Sequence, residues 1–343
     1  MAAPDPLTQR HFAGTQPTAA ARGGVDGRPR VLVLGGSGFI GSRIAAALAD
    51  SGAARVVALS RRPQGPGTGS TSVVAGDIEI PDSLDPVMEA VDVVVHSASY
   101  VGRDPQLAQS TNVDGTCNVL AACARAGVPR IIYVSTAAVY GMGPHRGVRE
   151  EVLGYNPASA TSDSRAAAEQ LVLEHGGDVV RPNLVLGSGD RWVVPGLVKM
   201  MASGGAWPGN GSALLSIVDV ADLGRLVGSF ALAGRQERSV FHAANPEPVA
   251  TADLLRAIAM ASNAPMPAFA GQGQPAGPEL GRAGFSPHQV DMVAVDHWYR
   301  SGRLWHVAGL TPPSPGEAVG RIAGSYPGLR PAEIHRRPAQ GRG

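Results

Sequence analysis

The stretch "PRVLVLGGSGFIGSRIAAALADSG", residues 29–52, constrains the fold more than any other part of the chain. Its apolar run, Val31 to Leu34, reads as a strand buried on both faces, the kind that parallel sheets contain. A glycine loop follows at once, and then a helix with apolar positions Ile40, Ile44, Ala47 and Leu48. Gly35, Gly38 and Gly41 are spaced three apart, while Gly36, Gly38 and Gly41 satisfy G-x-G-x-x-G literally. In either register the first glycine allows a tight turn and the second lets a pyrophosphate approach the backbone. The third lets the helix pack on the strand. The helix N-terminus then faces the phosphates, where its N–H groups and dipole favour an anion. The strand before and the helix after turn a weak glycine triplet into a dinucleotide-binding reading. Gly35, Ser37, Gly38, Phe39, Ile40 and Gly41 are the residues expected to hold the cofactor.

The next strand, "ARVVALSRRP", ends in Ser60, Arg61 and Arg62. Folds that bind NAD carry an acid there for the ribose 2′-hydroxyl. A carboxylate would repel a 2′-phosphate, whereas guanidinium groups pair with it. The expected cofactor is therefore NADP(H), read by Arg61 and Arg62. Further strands follow: "TSVVAGDI" to Asp77, "VDVVVHSAS", and "PRIIYVSTAAVYG", with a helix over Pro105 to Ala126 between the last two. This alternation predicts an α/β fold, a Rossmann-type doubly wound parallel sheet, with a small C-terminal substrate lobe. Ligands of such sheets lie beyond the carboxyl ends of the strands, where Gly35, Arg61, Asp77, Ser99 and Thr136 all fall.

The expected organisation is a disordered tail over 1–28 and an NAD(P)-binding domain over 29–190. A mainly substrate-binding lobe with late Rossmann elements spans 191–329, and a flexible tail spans 330–343. Charge is nearly balanced, 29 basic against 28 acidic residues, so the basic footprint of a nucleic-acid binder is missing. No apolar run approaches the ~20 residues that span a bilayer. The reading is a soluble, cytoplasmic protein without a metal site. Cys117 and Cys123 lie six apart on one predicted helix, on different faces, and cannot pair with each other. They read as small core residues of a reduced compartment.

Several pieces in order resemble the extended short-chain dehydrogenase/reductase family. They are "GGSGFIG" (35–41), "GDI" (76–78), "VDVVVHSAS" (91–99), "NVDGTCNVLAACARAGVPRIIYVSTAAVYG" (112–141), "AAAEQLV" (166–172) and "VVRPNLVLGSGD" (179–190). The resemblance implies that Asp77 and Ile78 contact adenine and that Ser97, Ala98 and Ser99 line the cofactor. It also implies that Asn112 supports the active-site backbone and that Pro182 lies near the nicotinamide amide. The family's active site is a Ser or Thr, a Tyr and a Lys. Thr136, in "VSTAAVYG", takes the first position. Counting back from "AAAEQLV", the tyrosine position holds Thr161 and the lysine position Arg165, so "TSDSR" stands where "YxxSK" belongs.

A threonine hydroxyl is a poor general acid or base. Arg165 stays cationic, and could hold ribose hydroxyls or a developing oxyanion. Reduction of a ketone delivers a proton to a strongly basic alkoxide, whereas oxidation of an alcohol needs a base. Loss of the phenol therefore harms a dehydrogenase more than a one-way reductase. Candidate replacement acids are Tyr155, able to swing over the site, Asp163, Tyr140, and His145 in the mobile-looking loop "GMGPHRG". The structural alternative makes Thr161 a helix cap.

Nucleotide-sugar members of the family carry an arginine before the "VDVAD"-type turn, where this chain has Leu215. They also carry an asparagine where it has Leu184, next to Asn183. Even so, "VVRPNLVLGSGDRWVVPGL" with "SDSRAAAEQLVL" is similar to dTDP-4-keto-6-deoxyhexose 4-ketoreductases of bacterial antibiotic pathways. Expected substrate contacts are Asn183, Arg191 and Trp192, with Trp207 as another ring able to stack a base. The resulting expectation is NADPH-dependent reduction of the 4-keto group of such a nucleotide-activated sugar, by a chain that can form a homodimer. The alternatives are a cofactor-binding scaffold or sensor without turnover, and a reductase of a polyketide or steroid-like ketone.

Overall fold

The first strand is apolar throughout because it is covered from both sides. In the computed structural model Val31 and Val33 face Ile44 and Leu48 of α1 (Phe39–Ser51) and Leu223, Leu226, Val227 and Phe230 of α7 (Val220–Leu232). Leu32 and Leu34 face the other way, onto Val119 and Leu120 of α4 (Gly115–Ala126) and Ala168 and Val172 of α5 (Ala160–Glu174). The structure describes residues 27–63, 71–203, 206–234, 239–262, 264–266, 268–271, 280, 282 and 284–326. The tail expected over 1–28 lies outside the described residues except for Gly27 and Arg28, and the tail expected over 330–343 lies wholly outside them.

That strand is β1 (Arg30–Leu34). The others are β2 (Arg55–Ser60), β3 (Thr71–Ala75), β4 (Val93–His96), β5 (Arg130–Val134), β6 (His145–Val148), β7 (Asp178–Pro182), β8 (Leu184–Leu186), β9 (Leu214–Leu215), β10 (Ile217–Asp219), β11 (Val240–Ala243), β12 (Val249–Ala250) and β13 (His297–Tyr299). Seven form one sheet in the order β11-β7-β5-β4-β1-β2-β3, and every pairing in it is parallel. Helices on both faces make it the doubly wound sheet that the alternation predicts.

Two smaller pieces of sheet, β12-β9-β13-β6 and β10-β8, sit with the lobe. Its core gathers Trp207, Leu215, Leu254, Leu255 and Ile258. The segment from Pro105 to Ala126 is not one regular helix. A short α3 (Pro105–Ala108) runs into a π-helical stretch, Gln109–Asp114, and then α4. Such π segments often mark functional sites, and this one carries the buried Asn112. The two cysteines differ as well: Cys117 is exposed rather than in the core, and Cys123 is buried. Burial pushes the Cys123 thiol up to about 12. Among the described residues no helix is long and apolar enough to cross a membrane.

Phe230 is fully buried, with the Phe241 ring edge-on at 4.9 Å and the Arg130 guanidinium 4.6 Å from its centroid. We expect Phe230→Ala to lower the unfolding free energy by about 3–5 kcal/mol, read as a lower urea midpoint with an unchanged slope.

Candidate active site

Strand order reverses at β1, with β2 on one side and β4 on the other. Ligands of open α/β sheets bind in the crevice at such a point. Gly35, directly after β1, has φ +77°, and a β-carbon on it would lie 2.7 Å from the Ala98 amide nitrogen. Only glycine can turn this way and let the loops after β1 and β4 touch. Ser97 seals the junction, its hydroxyl donating to the Leu34 carbonyl at 2.7 Å. A β-carbon on Gly41 would sit 2.2 Å from the Gly35 carbonyl oxygen. The left-handed turn thus favours the register starting at Gly35, while Gly36 is needed for a close pass over the Ala58 side chain. Gly38 caps α1 without any side-chain hydrogen bond, so the first turn of the helix has no side chain serving its N–H groups.

Around this loop, the Ser60 hydroxyl donates to Ser37 at 3.2 Å. Arg61 and Arg62 are exposed at the same corner. The Asp77 carboxylate accepts from the Glu79 N–H at 3.0 Å. Ile78 is buried in the core below, and Asn118 Nδ2 donates to its carbonyl at 2.9 Å.

The expected catalytic residues gather at the carboxyl ends of β4 and β5. Thr136 follows β5 and accepts from the Ala138 N–H at 3.1 Å. Among the described residues its own proton has no acceptor. Arg165 is buried. It donates to Ser99 Oγ at 3.0 Å and to the Val134 carbonyl, and lies 5.4 Å from the Tyr133 ring centroid. Its Nε has no partner, and it forms no ion pair among the described residues. His96 is held down at about 3 by burial and then by the Arg165 charge, so its imidazole is neutral.

Thr161 does not project into open space. Its hydroxyl donates to the Gly102 carbonyl at 2.6 Å and accepts from the Gly102 N–H at 3.4 Å. It clasps α5 to the loop after β4. Nor is it the helix cap: Ser159 caps α5 in a reciprocal box with Ser162. Asn112 steadies the same loop, accepting from the Tyr100 N–H at 2.7 Å and donating to the Tyr100 carbonyl at 3.1 Å. It also donates to Ser164 at 2.9 Å.

The candidate replacement acids fall elsewhere. Tyr155 is pinned rather than free to swing, because its hydroxyl donates to Glu169 Oε1 at 2.7 Å. Glu169 is fully buried and ion-paired with Arg181, whose Nε reaches both carboxylate oxygens at 3.0 and 3.1 Å. Burial, and then Glu169, raise the Tyr155 phenol above its ordinary value. Tyr140 lies on the same pair, with its oxygen 2.8 Å from His242 Nε2, and burial pushes its phenol up to about 12. His145 is not on an open loop. It is buried in β6, its Nδ1 2.8 Å from the Tyr299 hydroxyl, and burial and then His297 lower its pKa. Asp163 is exposed on the first turn of α5.

On the substrate side, Pro182 ends β7. Asn183 brackets the lobe, its Nδ2 donating to the Ser216 and His297 carbonyls at 3.0 and 3.3 Å, while its Oδ1 is buried without a partner. Arg191 and Trp192 are exposed on the loop that Asp190 folds by accepting from the N–H groups of Trp192, Val193 and Val194. This loop touches the start of α1: Arg43 donates to Ser188 O at 3.3 Å, and a β-carbon on Gly189 would lie 3.3 Å from the Phe39 ring. Trp207 is buried in the lobe core and cannot stack a base. Sequence reasoning passed over Glu169, Arg181 and Tyr100. Glu169 had a signal: it stands four residues after Arg165, a charge on the inward face of α5.

Comparison with known proteins agrees with this geometry. The NAD dependent epimerase/dehydratase family matches residues 31–240. The chain belongs to that family, within the extended short-chain dehydrogenases/reductases, whose members are NAD(P)-dependent oxidoreductases and epimerases. It is 34% identical over 161 residues to UDP-glucose 4-epimerase of Azospirillum brasilense, covering 43% of this chain and 45% of that protein. It is 28% identical over 256 residues to 2-alkyl-3-oxoalkanoate reductase of Stenotrophomonas maltophilia, covering 69% and 76%. The matched stretch thus spans less than half of the epimerase's length. In fold it is similar to the Bordetella bronchiseptica enzyme WbmH in complex with NAD+, with a TM-score of 0.68 at 23% identity, covering 87% and 97% of the two chains. It is also similar to a DesIV dTDP-glucose 4,6-dehydratase mutant of Streptomyces venezuelae with NAD bound, at 0.67 and 22%, covering 87% and 96%.

The residues fit a nicotinamide dinucleotide. Glycine occupies the places where a β-carbon would fill the cradle, α1 starts without a side-chain cap, and a buried Arg165 nitrogen lacks a partner. We expect Glu169→Gln to cost about 3–5 kcal/mol, because Arg181 is then a buried charge without its counter-ion. Tyr155→Phe should cost only about 0.5–1.5 kcal/mol. Chemical denaturation of both variants checks the ordering.

Proposed function

We propose that this protein binds NADP(H) and reduces a ketone in one direction, with the 4-keto group of a nucleotide-activated deoxysugar as substrate. The observation that carries the reading is Arg165, a buried guanidinium at the sheet's carboxyl edge with no carboxylate paired to it among the described residues. A buried charge is costly unless compensated, and the compensation suited to this place is negative charge developing on substrate. Reduction of a ketone produces such charge on the carbonyl oxygen. A nicotinamide cofactor held at the glycine loop and by Arg61 and Arg62 would supply the hydride. Thr136 directs an unengaged hydroxyl proton, and Arg165 offsets the alkoxide charge.

Direction follows from α5. Thr161, at the position of the family's phenol, donates its proton to Gly102 and offers no tunable base for withdrawing a proton from an alcohol. Arg61 and Arg62 at the end of β2 support a 2′-phosphate. The 187–192 loop against α1 supports a sugar nucleotide approached by Arg191 and Trp192, in line with the sugar nucleotide that names the epimerase relative. A second reading, an open-chain or polycyclic ketone, draws on the longer alignment with the oxoalkanoate reductase and on the fully buried Leu215.

Purified protein mixed with NADPH and either a dTDP-4-keto-6-deoxyhexose or a 2-alkyl-3-oxoalkanoate separates the readings by loss of reduced-cofactor absorbance. Turnover of the sugar alone is the expected result. Turnover of the oxoalkanoate alone supports the second reading, and turnover of neither supports a scaffold or sensor. Arg61→Ala should weaken NADPH binding tenfold or more, for a charge-assisted bond worth ~1.5–3 kcal/mol, with NADH affinity little changed in fluorescence titrations. Thr136→Val should lower kcat by ~10²–10³, measured at saturating cofactor.

A further inference from the structure

The phenol missing from α5 has a counterpart on another element. Tyr100 follows Ser99, the residue that takes a hydrogen bond from Arg165, on the loop that closes the crevice beyond β4. Its backbone is held on both sides by Asn112. Its ring folds back over Gly102, where a β-carbon would lie 2.2 Å from the Tyr100 hydroxyl. Gly102 is the residue that Thr161 grips in both directions. A tyrosine hydroxyl therefore stands beside the clasp made by the residue at the family's tyrosine position, delivered from the loop instead of the helix. Tyr100 is half-buried. Its oxygen accepts from the Asp104 N–H at 3.4 Å, and its proton has no acceptor among the described residues. Of the other phenols at this end of the sheet, Tyr155 is engaged with Glu169 and Tyr140 with Arg181 and His242, while the Tyr133 hydroxyl, unpartnered among the described residues, is fully buried in the core and away from solvent.

We infer that Tyr100 is the proton donor of the reaction, and that Thr161 is a positioning residue that holds the loop carrying it. The inference rests on the ketone-reducing reading above. The ketone carbon gains a C–H bond by accepting hydride from the bound nicotinamide, which is oxidised in exchange. The carbonyl π bond breaks and its electron pair moves to oxygen. The Tyr100 O–H bond then breaks, its proton goes to that oxygen to complete the alcohol, and solvent at the half-buried mouth returns a proton to the phenolate. A phenol is a far stronger acid than an aliphatic alcohol, so the transfer from phenol to alkoxide runs downhill. Among the described residues no cation is hydrogen-bonded to the Tyr100 oxygen, which suits donation to a strong base better than removal of a proton from an alcohol.

The test combines turnover with a readout that needs none. Tyr100→Phe keeps the ring and should lower kcat for keto-sugar reduction by ~10²–10⁴, leaving the NADPH dissociation constant within twofold. Tyr155→Phe should keep turnover, and Thr161→Ser should keep more of it than Thr161→Ala. In protein carrying ring-labelled tyrosine, six signals are available, and the one lost in Tyr100→Phe should shift when NADP+ is added at fixed pH. A Tyr100 signal unmoved by cofactor overturns the assignment whatever the turnover. So does full kcat in Tyr100→Phe. If wild-type protein reduces no ketone yet the Tyr100 signal shifts with cofactor, the phenol's placement stands and the ketone reading is the part that fails.

Discussion

The contact between Gly35 and the backbone at Ala98 is the constraint from which the site follows. Two loops leave adjacent parallel strands at the point where strand order reverses, and they pass within a distance that no β-carbon tolerates. Ser97 bonded to Leu34 locks them. With the loops fixed together, the start of α1 faces the crevice from one side and Ser99 and Tyr100 face it from the other. Everything assigned to cofactor or chemistry hangs from this junction.

Helix α5 brings two charges to the sheet and treats them differently. Glu169 is fully buried and neutralised by Arg181, with two tyrosines and a histidine arranged on the pair. Breaking a pair of that kind leaves an uncompensated interior charge, so this cluster reads as structural. One turn earlier, Arg165 is buried, hydrogen-bonded to a hydroxyl and a carbonyl beside an aromatic face, and in no ion pair among the described residues. A guanidinium remains charged in any protein environment. In the proposed reading, this contrast is what makes Arg165 the residue of the helix that meets ligand. The loss of the usual phenol four residues before it is matched by a clasp, since Thr161 is short enough to bond the Gly102 backbone where a tyrosine ring would not fit the same way.

The sheet was legible in the sequence. Runs such as Val31–Leu34 and Val93–Val95 are apolar at every position, and the glycine loop follows the first of them. Less was legible about the site. Thr161 and Arg165 could be located by counting, but not what they touch. Tyr155 looked free because it lies in a loop, and His145 because glycines surround it. The first is held by Glu169 and the second is sealed in β6 against Tyr299. Trp207 could be read either as a ring that stacks a base or as lobe packing, and the structure places it with Leu215 in the lobe core. Tyr100 directly follows the "VDVVVHSAS" motif but was passed over, because the family's phenol is sought on α5 and not on the loop after β4.

What the sequence determined by itself is what short-range physics controls: buried strands from continuous apolar runs, a phosphate-facing turn from glycine spacing, and the absence of a Tyr-x-x-x-Lys pair on α5. What only the tertiary structure decided is partnership between distant residues. Glu169 meets Arg181, Thr161 meets Gly102, and Arg165 meets Ser99 without an ion pair among the described residues. Each of these joins a helix to a strand end or to the loop that follows one. Such meetings depend on the order and register of seven strands, which no local pattern encodes.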